Sequence, residues 1–145
     1  LYREIIQREG ISLLPGVGDF VKSLQTNNVP YAIGSSTPRE NIESVLAYLR
    51  LTDWFRHIVA AANVDKGKPN PEVFLKAADK LEVAPGQCVV FEDSLSGIEA
   101  GKAGGMKVVA LTTTNARETL DESPADVIVD SFNEVAIDRL RALVD

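Results

Sequence analysis

Three short stretches of the chain hold residue types that could do chemistry together. Gly34-Ser35-Ser36-Thr37 offers small hydroxyls ahead of an expected helix start, Asn63 to Pro69 carries Lys68, and Glu92-Asp93-Ser94 sets two carboxylates side by side. Hydroxyls and free backbone N–H groups at a helix N-terminus hold phosphate oxygens. A lysine supplies the compensating positive charge. Adjacent carboxylates suit a hard cation such as Mg²⁺, which takes one or two of them and completes its shell with water and phosphate. Together these are the parts of a phosphoryl-transfer site, where positioning and charge neutralisation do most of the work.

Each stretch also has a plainer reading when taken singly. Ser35 and Ser36 could cap a helix and nothing more. Lys68 could be one solvated lysine in a polar loop. Glu92-Asp93 could be a strand-to-helix corner favoured by the helix dipole. Only their convergence would distinguish a site, so the elements that carry them matter.

Five apolar runs read as strands: Val29 to Ile33, His57 to Ala61, Gln87 to Phe91, Lys107 to Leu111 and Asp126 to Val129. Helix-period segments alternate with them. Thr37-Pro38-Arg39-Glu40 reads as N-cap, first-turn proline and capping-box glutamate, followed by Ile42, Val45, Leu46 and Leu49 at helical spacing. Asn70-Pro71 opens a second such helix, with Val73, Phe74, Ala77 and Leu81 as its buried stripe. Ser94 to Ala103 is a third, closed by Gly104-Gly105. A short helix is expected near Ala116 to Glu122, and Ser131 with Glu134 suggests a capping box before a C-terminal helix. Two helical segments, Tyr2 to Glu9 and Val17 to Thr26, precede the first strand and are split by Leu14-Pro15-Gly16. Strand and helix alternating at this spacing predict βαβ units and a mainly parallel sheet with helices on both faces. In such a sheet, ligands sit beyond the C-terminal strand ends. The three stretches follow the first, second and third strands, so one edge would gather them.

The bulk composition fits a globular domain. The chain has 145 residues, enough for one core, with 45% hydrophobic and 25% charged residues. Net charge is −6 and no basic stripe reverses it, which argues against a nucleic-acid partner. No apolar run approaches the ~20 residues that span a bilayer, and the polar opening LYREIIQREG is no signal peptide. The expectation is a cytoplasmic protein without a membrane partner. Single Cys88 and single His57 exclude a zinc cluster. Cys88, in the run Cys88-Val89-Val90-Phe91, is expected to be a buried structural thiol, and His57, Trp54 and Phe55 are assigned to packing.

In order and spacing, YAIGSS, KGKPNPEVF and VVFEDSLSGIEAGKAGG resemble the second, third and fourth motifs of the haloacid dehalogenase-like superfamily. The resemblance runs from about Leu14 to the C-terminus and is strongest to the β-phosphoglucomutase-like branch, which includes many sugar-phosphate phosphatases. It implies a three-layer α/β/α Rossmann-like core with a mainly parallel sheet. It also implies, for the complete enzyme, a Mg²⁺-dependent phosphatase or phosphomutase acting on a small phosphorylated metabolite through an aspartyl phosphate, with weak or absent Mg²⁺ binding expected in this chain. By position, Ser35 matches the residue that hydrogen-bonds the transferring phosphoryl group, with Ser36 and Thr37 offering further N–H groups. Lys68 matches the lysine that neutralises the phosphoryl group and the nucleophile. Asp93 matches the main Mg²⁺ ligand, with Glu92 beside it as a ligand or supporting acid.

One family motif has no counterpart. The first motif is an apolar strand ending in Asp-x-Asp, whose aspartates are the nucleophile and the general acid/base, and no Asp-x-Asp occurs in the 145 residues. Val127-Ile128-Val129-Asp130 mimics the strand, but Phe132 stands where the second aspartate should be. The resemblance therefore implies residues 1–14 as the remnant of a helical cap and residues 15–145 as a core lacking its first, central strand. That strand would lie between Val29 to Ile33 and Gln87 to Phe91. Each buried unpaired backbone group costs ~1–3 kcal/mol, against a domain stability of ~5–15 kcal/mol. Those two strands are therefore expected to close up directly, or to accept another segment, such as one exchanged within a homo-oligomer. The expected function is an inactive fragment of a phosphoryl-transfer enzyme, with a non-catalytic binding module of the same fold as the alternative.

Overall fold

A computed structural model describes residues 17–48 and 50–145. The expected helix at Tyr2 to Glu9, the break at Leu14 to Gly16, the cap remnant at 1–14 and the buried role of Leu49 lie outside the described residues.

Helix α1 (Val17–Thr26) turns Phe20, Val21 and Leu24 inward at helical spacing. It leads to β1 (Ile33–Gly34), α2 (Arg39–Tyr48), β2 (Ile58–Val59) and α3 (Glu72–Leu81). The second half runs β3 (Val89–Glu92), α4 (Leu95–Ala103), β4 (Lys107–Leu111), α5 (Arg117–Asp121), β5 (Val127–Val129) and α6 (Ile137–Val144). Among the described residues every strand pairing is parallel. Ile33 and Gly34 pair with Ile58 and Val59, Val89 to Glu92 with Lys107 to Ala110, and Val109 to Leu111 with Val127 to Val129.

Side-chain alternation along these strands builds the layers. Val109, Leu111 and Val129 pack on one face with Phe20 and Leu24 of α1 and Ile137 and Leu140 of α6. Val59, Val90, Val108 and Ala110 point to the other, against Val73, Phe74 and Ala78 of α3 and Ile98 of α4. Ile42 and Leu46 of α2 cover Ile33 and Ile58. Helices thus lie on both faces of parallel strands, the α/β three-layer arrangement expected from the alternation of elements.

The sheet departs from the expected single body. Among the described residues the strands form two ladders, β1–β2 and β3–β4–β5, with no ladder between β1 and β3. Direct closure of those two strands, one of the expected outcomes, is not what the described residues show. A shared core holds the ladders together instead: Val59 of β2 lies in the same apolar cluster as Val90 of β3 and Val108 of β4, with α3 between them.

Strand lengths also differ from expectation. The run from Val29 pairs only from Ile33, whose N–H donates to His57 O at 3.0 Å. Pro30 has no N–H to give a ladder. β2 ends early because Ala60 N donates to Asn63 Oδ1 at 2.9 Å, folding Ala61–Asn63 into a 3₁₀ turn. The expected Thr37 cap of α2 makes no side-chain hydrogen bond among the described residues; instead Ser35 Oγ accepts the Thr37 N–H at 3.1 Å in the turn that precedes the helix. The Ser131–Glu134 capping box forms but closes the 3₁₀ turn Phe132–Glu134, and α6 starts later. Cys88 is half-buried against the core rather than buried, and partial burial raises its thiol pKa. Ala77 and Leu81 are half-buried while Ala78 faces the core. Trp54 and Phe55 pack beside Leu51 and Ile58, tying α2 to β2.

Candidate functional site

The C-terminal ends of β1, β2 and β3 bring the motif residues to one side of the molecule. Lys68 Nζ donates to Glu92 Oε2 at 2.8 Å, with the two side chains 14% and 10% exposed. The same ammonium lies 4.9 Å from the centroid of the Phe74 ring, a cation–π distance. Phe74 in turn rests on Gly34: a Cβ there would stand 3.0 Å from Phe74 Cδ1. The lysine is thus held from below by a ring that packs closely over the glycine in β1.

Glu92 is held on its other oxygen. Its Oε1 accepts from Asp93 N at 3.1 Å, Ser94 N at 3.2 Å and Ser94 Oγ at 3.1 Å. Ser94 also caps α4, accepting from Gly97 N at 3.1 Å. Gly97 is required by close approach, since a Cβ there would fall 2.1 Å from Glu92 Cδ. Both carboxylate oxygens of Glu92 are therefore engaged, one by the lysine and one by the turn that starts α4.

Asp93, next in sequence, turns the other way. Its Oδ2 accepts from Thr114 Oγ1 at 2.7 Å and Thr113 Oγ1 at 3.3 Å, and its main-chain oxygen from Asn115 Nδ2 at 2.9 Å. Among the described residues Oδ1 takes no hydrogen bond. Ser35 ends β1, with its N–H on Val59 O at 2.9 Å, and Thr37 O accepts from Ala61 N at 3.0 Å. Ser36 reaches toward the lysine loop, its Oγ 3.7 Å from where a Cβ on Gly67 would sit. The loop itself is tied to α3: Glu72 accepts from Asp65 N and Lys66 N, and Lys76 bonds the same carboxylate at 3.2 Å. The Asp65 N–H leads the bonds that hold the Glu72 carboxyl below the usual carboxylate range, despite some desolvation.

Thr113, Thr114 and Asn115 were not anticipated from sequence. They follow β4, where the rule that ligands gather beyond parallel strand ends points to them. Asp130 lies apart from Lys68 and Glu92 in its contacts. It is exposed, bonds Thr112 Oγ1 at 2.7 Å and pairs with Arg117 at 3.0 Å, and that hydroxyl and guanidinium lower its pKa. Among the described residues, one surface depression runs along α3 beside Asp65 and Leu75 and another lies near Tyr31, Arg56 and His57, and neither includes Lys68 or Asp93. Chemistry-bearing contacts, rather than concavity, define this site.

Mg²⁺ is tested by the donor set. No group of three or more His, Cys, Asp or Glu gathers among the described residues. Asp93 Oδ1 fits the single-carboxylate anchoring that Mg²⁺ accepts, with water and phosphate as its other ligands. Glu92, with both oxygens engaged, does not add a second in this arrangement.

Parallel strands between helix layers, with a lysine–carboxylate pair and an aspartate at their C-terminal ends, describe an open-sheet α/β fold with its candidate site beyond the strand ends. Residues 1–111 match the haloacid dehalogenase-like hydrolase family, and the chain belongs to it. A HAD hydrolase, family IA, variant 3, from Entamoeba histolytica superposes with TM-score 0.87 at 28% identity, covering 99% of this chain and 66% of that one. The β-phosphoglucomutase of Clostridium difficile superposes at 0.78 with 30% identity, covering 90% of this chain and 56% of that one. The bifunctional riboflavin kinase/FMN phosphatase of Arabidopsis thaliana is 37% identical over 134 residues, 92% of this chain and 35% of the relative. The chain spans about half or less of the length of the curated relatives it matches. Within the family it falls in the β-phosphoglucomutase-like branch. Among the described residues, no helix is long and apolar enough to cross a membrane.

Proposed function

We propose that this chain supplies the phosphate- and metal-holding side of a phosphoryl-transfer site for a small phosphorylated metabolite. The Lys68–Glu92 pair carries the reading: a nearly buried ammonium, fixed at 2.8 Å on the Glu92 carboxylate with Asp93 next in sequence, suits a phosphate dianion. The hydroxyls of Ser35, Ser36 and Thr37 and the Ser36 N–H are the donors to the phosphate oxygens, since the Ser35 N–H is held by Val59 O and the Thr37 N–H, contrary to expectation, by Ser35 Oγ. Lys68 neutralises the phosphate charge. Glu92 orients Lys68. Asp93 would hold Mg²⁺, which when bound supplies further neutralisation of the phosphoryl oxygens. Phosphatase and phosphomutase relatives support the substrate class, because both chemistries move a phosphoryl group.

The nucleophile is the part these residues do not provide, since the sequence has no Asp-x-Asp. Titration calorimetry with inorganic phosphate tests the proposal. The 145-residue chain should bind phosphate, and Lys68→Met should weaken binding by roughly tenfold or more, the value of a charge-assisted hydrogen bond. The same chain should not turn over p-nitrophenyl phosphate with Mg²⁺. Turnover would contradict the missing-nucleophile part. Absence of Lys68-dependent phosphate binding would favour the second reading, a binding module that keeps the fold without the chemistry.

A further inference from the structure

The loop after β4 approaches Asp93 with three side chains in a row. Thr113 and Thr114 both place their hydroxyls on Oδ2, and Asn115 takes the main-chain oxygen. The 2.7 Å contact from Thr114 is the length of a charge-assisted O–H···O⁻ bond. Two donors on one oxygen and a third on the backbone remove the freedom of this carboxylate to rotate. What they leave is one oxygen, Oδ1, with no hydrogen bond among the described residues. Glu92 cannot compensate, because Lys68 and the α4 turn occupy both of its oxygens.

We infer that Thr114, with Thr113 and Asn115, is a positioning element that presents Asp93 to a divalent cation through a single oxygen. The inference rests on the reading of Asp93 as a metal ligand. Its consequence is selectivity. Mg²⁺ demands compact octahedral geometry and is content with one oxygen per carboxylate, whereas Ca²⁺ takes more ligands at longer distance and often grips a carboxylate by both oxygens. Holding Oδ2 on two hydroxyls denies Ca²⁺ that second oxygen. A hydroxyl that merely ordered the loop would affect stability, but it would not discriminate between the two ions.

Mn²⁺ serves as the probe, because its paramagnetic resonance signal falls on binding, and Mg²⁺ and Ca²⁺ are then titrated in competition. The chain should bind Mn²⁺, and Asp93→Asn should abolish that binding. Thr114→Val should weaken it about tenfold, as loss of a group supporting a metal ligand does, and should erode the preference for Mg²⁺ over Ca²⁺. Thr114→Ser, which keeps the hydroxyl, should restore both affinity and preference. Thermal melts check that each variant is folded. If Asp93→Asn releases Mn²⁺ while Thr114→Val matches the wild type in affinity and preference, the positioning role is wrong and the metal reading of Asp93 stands. If Asp93→Asn binds Mn²⁺ as the wild type does, the metal reading fails and takes the inference with it.

Discussion

At the scale of single residues, this site depends on small groups as much as on charged ones. Gly97 lets the Glu92 side chain lie across the start of α4, and Gly34 lets Phe74 reach β1 beneath Lys68. A methyl at Gly97 would fall 2.1 Å from Glu92 Cδ, so either the carboxylate or the helix must move. Gly97→Ala should therefore cost about 1–3 kcal/mol, the usual penalty of overpacking, and should also weaken phosphate binding because Lys68 loses its fixed partner. Thermal melts and calorimetry read the two effects separately. Asp126 offers a second test, in pH. Desolvation opposes its ionisation, but the Val108 N–H at 2.7 Å and Lys102 at 2.9 Å prevail and lower its pKa. A carboxyl depressed on folding adds stability that is present above its unfolded pKa and lost as pH falls through the folded one. Stability should thus be level near neutrality and decline below about pH 4. Asp126→Asn should lower the neutral-pH stability by about 1 kcal/mol and flatten part of the acid decline, as measured by urea melts from pH 7 to roughly pH 3.

At the scale of elements, the lysine loop is held by the first turn of α3. Glu72 gathers Asp65 N, Lys66 N and Lys76 onto one carboxylate. Glu72→Ala should raise the hydrogen-exchange rates of the Asp65 and Lys66 amides well above those elsewhere in the loop, with a smaller loss of phosphate affinity than Lys68→Met. Unchanged exchange at those two amides would show that the loop is ordered by other means. Elements whose signals are local were legible in the sequence. Val17–Thr26 and Lys107–Leu111 match expectation because amphipathic period and a β-branched run determine them without outside help. Ser94 caps α4 as the local pattern requires. What the sequence hid was tertiary. The length of β1 depends on where β2 offers a partner, and β2 stops where Asn63 captures a ladder N–H. Ser35 Oγ closes a turn on the Thr37 N–H ahead of α2, a contact that the local cap pattern at Thr37 did not indicate. The Lys68–Glu92 pair joins residues 24 apart, and the Thr114–Asp93 contact joins residues 21 apart. Motif order placed Lys68 and Glu92 at one sheet edge without pairing them, and no local pattern pointed to the second contact.

At the scale of the whole molecule, two parallel ladders share one fold without sharing a strand pairing among the described residues. Whether they behave as one cooperative unit depends on the apolar cluster between them. Val73, Phe74 and Ala78 of α3 pack with Val59 of β2 and with Val90 and Val108 of the second ladder, so neither half keeps its core if the other opens. On the opposite face, Val29 and Tyr31 join the cluster that holds Phe91 and Phe132. Buried contacts of this extent favour a single transition over two. The chain carries a natural probe for the question, because Trp54, its single tryptophan, packs in the β1–β2 half beside Leu51 and Ile58. Urea unfolding followed by Trp54 fluorescence should coincide with unfolding followed by far-UV circular dichroism, which reports on all helices. Phe74→Ala, expected to cost about 3–5 kcal/mol as a large-to-small change in a core, should move both curves together. Separation of the two curves in the wild type would mean that the ladders unfold independently. The shared cluster would then be too weak to couple them, and the Lys68–Glu92 pair, which bridges the two halves, could not remain a fixed receiver for phosphate.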